Sequence, residues 1–286
     1  MIELVGPGLS ATINPLGAEL ISLRDAQGRE LMTDADPAFW TGHAPILFPI
    51  VGRLNGDVLR IGGRDYPMKQ HGFARRMTWD VVGAGADAVT LRLRDDEATR
   101  ASYPFAFDLA ILYAIEETSL SWVVRVSNPG QDPLPFSIGF HPAFAWPLPY
   151  GQPRGAHRIV FDREEEGRVI ELQDGLFAAT RPSPLAGRAL ALADDLFADD
   201  ALIWSPVASQ SVTYGAADGP QLRVDFPDTP DLGVWTKPGA RFVCIEPWHG
   251  HADPAGFTGD FRDKPGVIEI APGDEWTCSM QVTLLA

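Results

Sequence analysis

LSWVVRVSN, residues 120–128, places Leu120, Trp122, Val124 and Val126 on one side of an extended chain and Ser121, Arg125 and Ser127 on the other. A side-chain period of two belongs to a β-strand with one buried face. The same pattern recurs in AVTLRLR (88–94) and in WTCSMQVTLL (276–285). Shorter runs of this kind are SATINPL (10–16), AELISLR (18–24), MTWDVV (77–82), HRIVF (157–161), ALIW (201–204), SVTY (211–214), QLRVDF (221–226) and RFVCIE (241–246). So many short strands, spread from end to end, predict an all-β chain built as an antiparallel sandwich or barrel.

Turn residues punctuate these runs. Gly62-Gly63 separates VLRI from RDYPM, and Asn128-Pro129-Gly130 closes the run that began at Leu120. With 28 Gly and 25 Pro in the chain, long helices have little room. The short helical candidates are DEATRAS (96–102), whose acidic start suits a helix N-terminus, and DDLFADD (194–200). PLPYGQPRGAH (147–157) is rich in Pro and Gly, but strand patterning resumes on both sides without a shift in composition. It reads as a loop, so residues 1–286 are expected to form a single domain.

Hydrophobic residues make up 45% of the 286 and charged residues 21%, enough for a large core and too apolar for global disorder. A formal charge of −15, with no long basic run, argues against nucleic acid and against an anionic membrane surface. The start, MIELVGPGLSATI, has no signal-peptide pattern, and no window reaches the ~18 apolar residues of a spanning helix. Cys244 and Cys278 both sit in apolar strand-like runs and are read as buried reduced thiols rather than a disulfide framework. Together these features predict a cytoplasmic protein. A homodimer is compatible with the sequence and not specified by it.

Three segments carry acid–base chemistry. In SIGFHPAF (137–144) a single imidazole, His141, stands where a proline interrupts an apolar strand. Taken alone it reads equally as a satisfied core histidine. In FVCIEPWHG, Glu246 ends a buried apolar run before Pro247 and Trp248, a setting where desolvation raises a carboxyl towards a working base. Its plain reading is a paired carboxylate at a strand end. His71, in KQHGFARR, precedes a glycine that permits unusual backbone, and Arg75 or Arg76 is placed to reach a ligand. The acidic runs REEEG (163–167) and ADDLFADD (193–200) are expected to be solvated faces or caps.

HAPILFPIVGRLNGD (43–57), QHGFAR (70–75), SIGFHPAFAWP (137–147) and CIEPWHG (244–250) occur in this order, and GVIEIAPGDEWT (266–277) closes the chain. In these motifs the sequence resembles the aldose 1-epimerase family, in a shorter bacterial branch, across nearly its whole length. The resemblance implies a large antiparallel β-sandwich of the galactose mutarotase-like supersandwich type, with a few short helices and a cleft for a free sugar. By the same likeness Glu246 matches the catalytic base, His141 the acid that protonates the ring oxygen, and His71 a histidine bonding that region of the sugar. Arg53 in GRLNG matches a sugar-binding arginine. The family's sugar-binding aspartate has no clean motif here, and Asp200 is assigned to it. Trp40 and Trp235 are assigned as stacking platforms for the sugar.

Interconversion of α- and β-anomers removes a proton from the anomeric hydroxyl while the ring oxygen gains one. A carboxylate and an imidazole supply both transfers, so no metal, nucleotide or flavin is required. The expected partner is a small sugar. Three other readings remain open. A hexose-6-phosphate mutarotase would need cations such as Lys69, Arg75 and Arg76, and a non-catalytic sugar-binding protein would keep the cleft without turnover. The third is a metal site in the spacing Glu246, His249, His251. Gly-rich nucleotide loops and the G-x-S-x-G elbow are not found in the required context.

Overall fold

The computed structural model describes residues 1–286. Two antiparallel sheets dominate. The nine-stranded one runs, in spatial order, through Ala189–Ala191, His157–Phe161, Ser211–Ala216, Gln221–Asp225, Glu275–Leu285, Ser119–Ser127, Asp108–Glu116, Ala88–Arg94 and Asp80–Ala84. The eight-stranded one runs through Leu176–Pro182, Arg168–Gln173, Leu202–Trp204, Asp231–Trp235, Phe242–His249, Ile138–Phe140 and Ile46–Leu47, with Ala143–Ala145 also paired to Phe242–His249. The smaller sheets include one formed by Ile2–Val5, Leu9–Asn14 and Glu19–Asp25.

The alternation seen in the sequence decides which face is buried. Leu120, Trp122, Val124 and Val126 are all buried, as are Val89, Leu91 and Leu93 and, on the last long strand, Cys278, Met280 and Val282. They share one cluster of 63 buried residues with Leu232, Val234, Val243 and Ile245 from the eight-stranded sheet. The core therefore lies between the two sheets, and the fold is an antiparallel β-sandwich. Helix is confined to single turns. Glu97–Arg100 is closed by a capping box in which Asp96 accepts from the Thr99 N–H, and Asp194–Phe197 forms a 3₁₀ turn rather than an α-helix.

One expectation changes. Pro247 and Trp248 do not end the strand bearing Glu246; it runs from Phe242 to His249. Proline removes only its own ladder donor, and antiparallel pairing on both flanks carries the strand through.

The other face of the eight-stranded sheet is open in part, and the loop over it is anchored by a buried ion pair. Lys264 Nζ lies 3.5 Å from Asp253 Oδ1, with both side chains at most 3% exposed. The other oxygen, Asp253 Oδ2, accepts from the Asn55 backbone N–H at 2.8 Å. Burial pulls the lysine down to about 8, partly offset by Asp253. Lys264→Met leaves Asp253 buried without its counter-charge, so a loss of about 3–5 kcal/mol is expected by urea unfolding. Adding Asp253→Asn should restore part of it; no recovery would mean that the charge on Asp253 is not the cause.

Candidate active site

His141 and Glu246 meet because of strand register. Ile138 and Gly139 pair with His249 and Trp248, and beyond the break Ala143 and Phe144 pair with Cys244 and Val243. Both stretches keep the same register, so His141 falls opposite Glu246. Next to them the Ile245 N–H donates to the Pro142 carbonyl at 3.2 Å. Alternation then makes His141 and Glu246 a pair without ladder hydrogen bonds, the kind in which facing side chains come closest. The imidazole Nε2 lies 3.2 Å from Glu246 Oε2, with the side chains 8% and 2% exposed.

Trp248 shares the Glu246 face. Its indole lies across the sheet between two glycines. A Cβ on Gly139 would stand 2.3 Å from one edge of the ring, and a Cβ on Gly233 would stand 2.6 Å from the other. Both residues therefore clear space for this ring. Its buried Nε1–H meets no partner at full hydrogen-bond geometry, yet it lies near enough to the Glu246 carboxyl to oppose part of the rise in that group's pKa. Trp40 stacks on His141 at 4.9 Å and 25°, and meets Trp235 edge-on at 5.7 Å. These rings wall a cavity of about 290 Å³ that also exposes Gln70, Arg75 and Asp200.

His71 reaches the cavity from the turn that precedes the 3₁₀ segment Ala74–Arg76. It has a left-handed backbone (φ 64°), followed by Gly72 at φ 67°. Its Nδ1 accepts from the Gly52 N–H at 3.2 Å, so the ring proton of the neutral form sits on Nε2. The two histidine rings are 5.7 Å apart, edge to face. A Cβ on Gly72 would stand 2.1 Å from the Phe48 carbonyl oxygen. Gly72→Ala is therefore expected to cost at least the roughly 1–3 kcal/mol of a strained left-handed residue. Thermal unfolding checks it; an unchanged midpoint would show that this turn relaxes freely.

Electrostatics follow from burial. Desolvation lowers His141 to about 3, helped by the Arg75 charge, and holds His71 well below the usual imidazole range. It pushes Glu246 well above the usual carboxylate range, with Asp200 adding to the shift. Arg75 falls to about 10 through burial and the Arg76 charge, and stays cationic at neutral pH. At 3.2 Å the His141–Glu246 pair is best described as sharing one proton. A neutral acid with a neutral imidazole, and a carboxylate with an imidazolium, hold the same number of protons.

The family model for aldose 1-epimerase matches residues 1–282. The chain belongs to the aldose 1-epimerase family. It is 31% identical to the chromosomal protein LacX of Lactococcus lactis subsp. lactis, over 99% of each chain. Among solved structures, a galactose mutarotase related enzyme from Lactobacillus acidophilus superposes with a TM-score of 0.94 at 32% identity, covering 99% of this chain and 97% of that one. A galactose mutarotase-like protein from Lactobacillus casei gives a TM-score of 0.92 at 29% identity over the whole of both chains.

Of the site residues expected for an aldose 1-epimerase, the cavity gathers Glu246, His141, His71, Asp200, Trp40 and Trp235. Arg53 stands at its edge beside Gly175. Its guanidinium binds the Asp57 carboxylate, at 2.9 Å from Nε, and donates to the Asp174 carbonyl. Arg75 is the arginine that lines the cavity, and neither Lys69 nor Arg76 does so. Trp248 lines the cavity as well, because its position two residues beyond Glu246 puts it on the same strand face. Alternation likewise separates Glu246 from His249, whose ring meets Trp276 on the core side. The Glu246, His249, His251 spacing therefore does not converge. No helix is long and apolar enough to cross a membrane.

Proposed function

We propose that this chain interconverts the anomers of a free aldose, with Glu246 and His141 as the acid–base pair. The observation that carries this reading is the 3.2 Å contact between these two buried groups at the wall of the cavity. At about 290 Å³ that cavity matches one monosaccharide, standing at the low end of the roughly 300–1,000 Å³ of small-molecule sites. Glu246 takes the proton of the anomeric hydroxyl O1. As the C1–O1 double bond forms and C1–O5 breaks, His141 gives its proton to O5. Rotation about C1–C2 and closure on the other face, with the transfers reversed, yield the other anomer. The pair ends with the protons it began with, so only proton transfers are needed and no cofactor chemistry is called for.

Further polar and aromatic side chains of the cavity complete the site. The Nε1–H of Trp248 and the Nε2–H of His71 face sugar oxygens, Arg75 and Asp200 bind hydroxyls, and Trp40 and Trp235 take the apolar face of the ring. Arg53 then acts from the edge, fixing the Asp174 turn.

A hexose 6-phosphate is the second reading, favoured by the Arg75 guanidinium in the cavity. A phosphate group ordinarily requires several converging donors, and Arg75 is the one lysine or arginine there. Polarimetry with fresh α-anomers of free and phosphorylated aldoses separates the readings. Faster relaxation of a free aldose is the expected result. Acceleration confined to phosphorylated sugars would transfer the assignment, and sugar binding without acceleration of any would leave a sugar-binding protein.

A further inference from the structure

We propose that His141, Cys244 and Glu246 form a site for a thiophilic divalent cation, with Zn²⁺ as the model ion, and that filling it switches the catalytic pair off. The inhibitory half rests on the acid–base roles proposed above; the existence of the site does not.

Strand geometry assembles the three donors. Cys244 and Glu246 are two residues apart on one strand and so project from the same face. His141 stands opposite Glu246, and Ala143, its neighbour on that face, pairs with Cys244. One ligand atom from each residue lies within 4.8 Å of the other two, and all three residues are buried. Bonds of about 2.0–2.3 Å in a tetrahedron place donors about 3.3–3.8 Å apart, so side-chain adjustments of about 1 Å would close the site. Nitrogen, thiolate and carboxylate donors suit Zn²⁺ and ions like it.

Charge and access agree with this. A thiolate and a carboxylate together cancel a dication, which is what burial demands. The Nδ1 of His141 is buried without a partner, so no hydrogen bond on that side has to break when the ring shifts. His141 and Glu246 both line the cavity, so the fourth position faces the place of the sugar. Cys244 lies behind them, in a small cluster with Phe242 and Ala143 against which Trp40 and Trp235 pack. Burial raises its thiol well above the usual range, so without metal it stays neutral and idle. On binding, the thiol proton and the proton shared by His141 and Glu246 leave to solvent, and nothing is oxidised. The imidazole lone pair and the carboxylate are then both engaged.

Co²⁺ serves as the spectroscopic probe and Zn²⁺ as the inhibitor, each added to the metal-free full chain. One equivalent of Co²⁺ should give a thiolate-to-metal charge-transfer band, absent in Cys244→Ala and retained in Cys278→Ala. Zn²⁺ should inhibit in competition with sugar, and Cys244→Ala should keep its basal rate while needing at least about tenfold more Zn²⁺. A band that survives Cys244→Ala, or Zn²⁺ inhibition unchanged in that variant, would overturn the site. A rate that rises with bound metal would overturn its inhibitory role. A Cys244-dependent band in a protein that accelerates no sugar would leave the site standing and sink the mutarotase reading.

Discussion

Glu246→Gln is expected to lower the rate of anomer interconversion by roughly 10²–10⁴-fold, the ordinary weight of a well-placed general base. The amide keeps the shape and hydrogen-bonding capacity of the carboxyl but cannot accept the O1 proton. Sugar binding should survive, because the cavity is also built from Trp40, Trp235, Trp248, His71 and Arg75. Stability should change little or improve, since burial opposes ionisation of Glu246 in the folded chain and glutamine removes the charge. The variant is read by polarimetry for rate and by tryptophan fluorescence for binding. A rate close to that of the unaltered protein would remove Glu246 as the base, and loss of binding together with rate would make it a structural residue.

How this site could be read from the sequence, and where reading stopped, follows from what is local. The strands at 88–94, 120–128 and 276–285 have alternating faces, so burial of Val89, Leu120 or Cys278 could be read residue by residue. The hairpin of Arg168–Gln173 and Leu176–Pro182 has weaker alternation, with several alanines and exposed residues. Its Asp174-Gly175 turn has both residues at positive φ, as a two-residue hairpin loop of this kind requires. The break at His141 was legible too, because Pro142 lacks the N–H that a central strand needs.

What brings His141 against Glu246 is a pairing across about a hundred residues of sequence, and pairing partners leave no local trace. Arg53 and Arg75 show the same limit. Both stand in glycine-bearing motifs, and only the fold reveals that Asp57 and the Asp174 carbonyl engage the first while the second faces the cavity. Asp200 reaches the cavity from a left-handed backbone position at φ 83°. Its acidic surroundings read more simply as a solvated run.

His141→Asn should lower the rate by a comparable ~10²–10⁴-fold and also reverse part of its pH dependence. In the unaltered protein His141 is lowered to about 3 and Glu246 is raised well above its usual range. Between those limits the pair holds its one shared proton, so the count needed for catalysis is constant. Below about 3 the imidazole gains a second proton, no base remains, and the rate falls. Above the raised Glu246 value the shared proton is lost, no acid remains, and the rate falls again. kcat/KM should therefore be level between these two limits and decline as pH rises through the raised Glu246 value. With asparagine at 141 there is no shared proton, and activity depends on ionised Glu246 alone. The small residual rate should then rise with pH through the raised Glu246 value, where the unaltered enzyme declines. Opposite slopes around the raised Glu246 value would identify His141 as the partner in proton transfer. Parallel profiles, differing only in height, would reduce it to a ring that packs against Trp40.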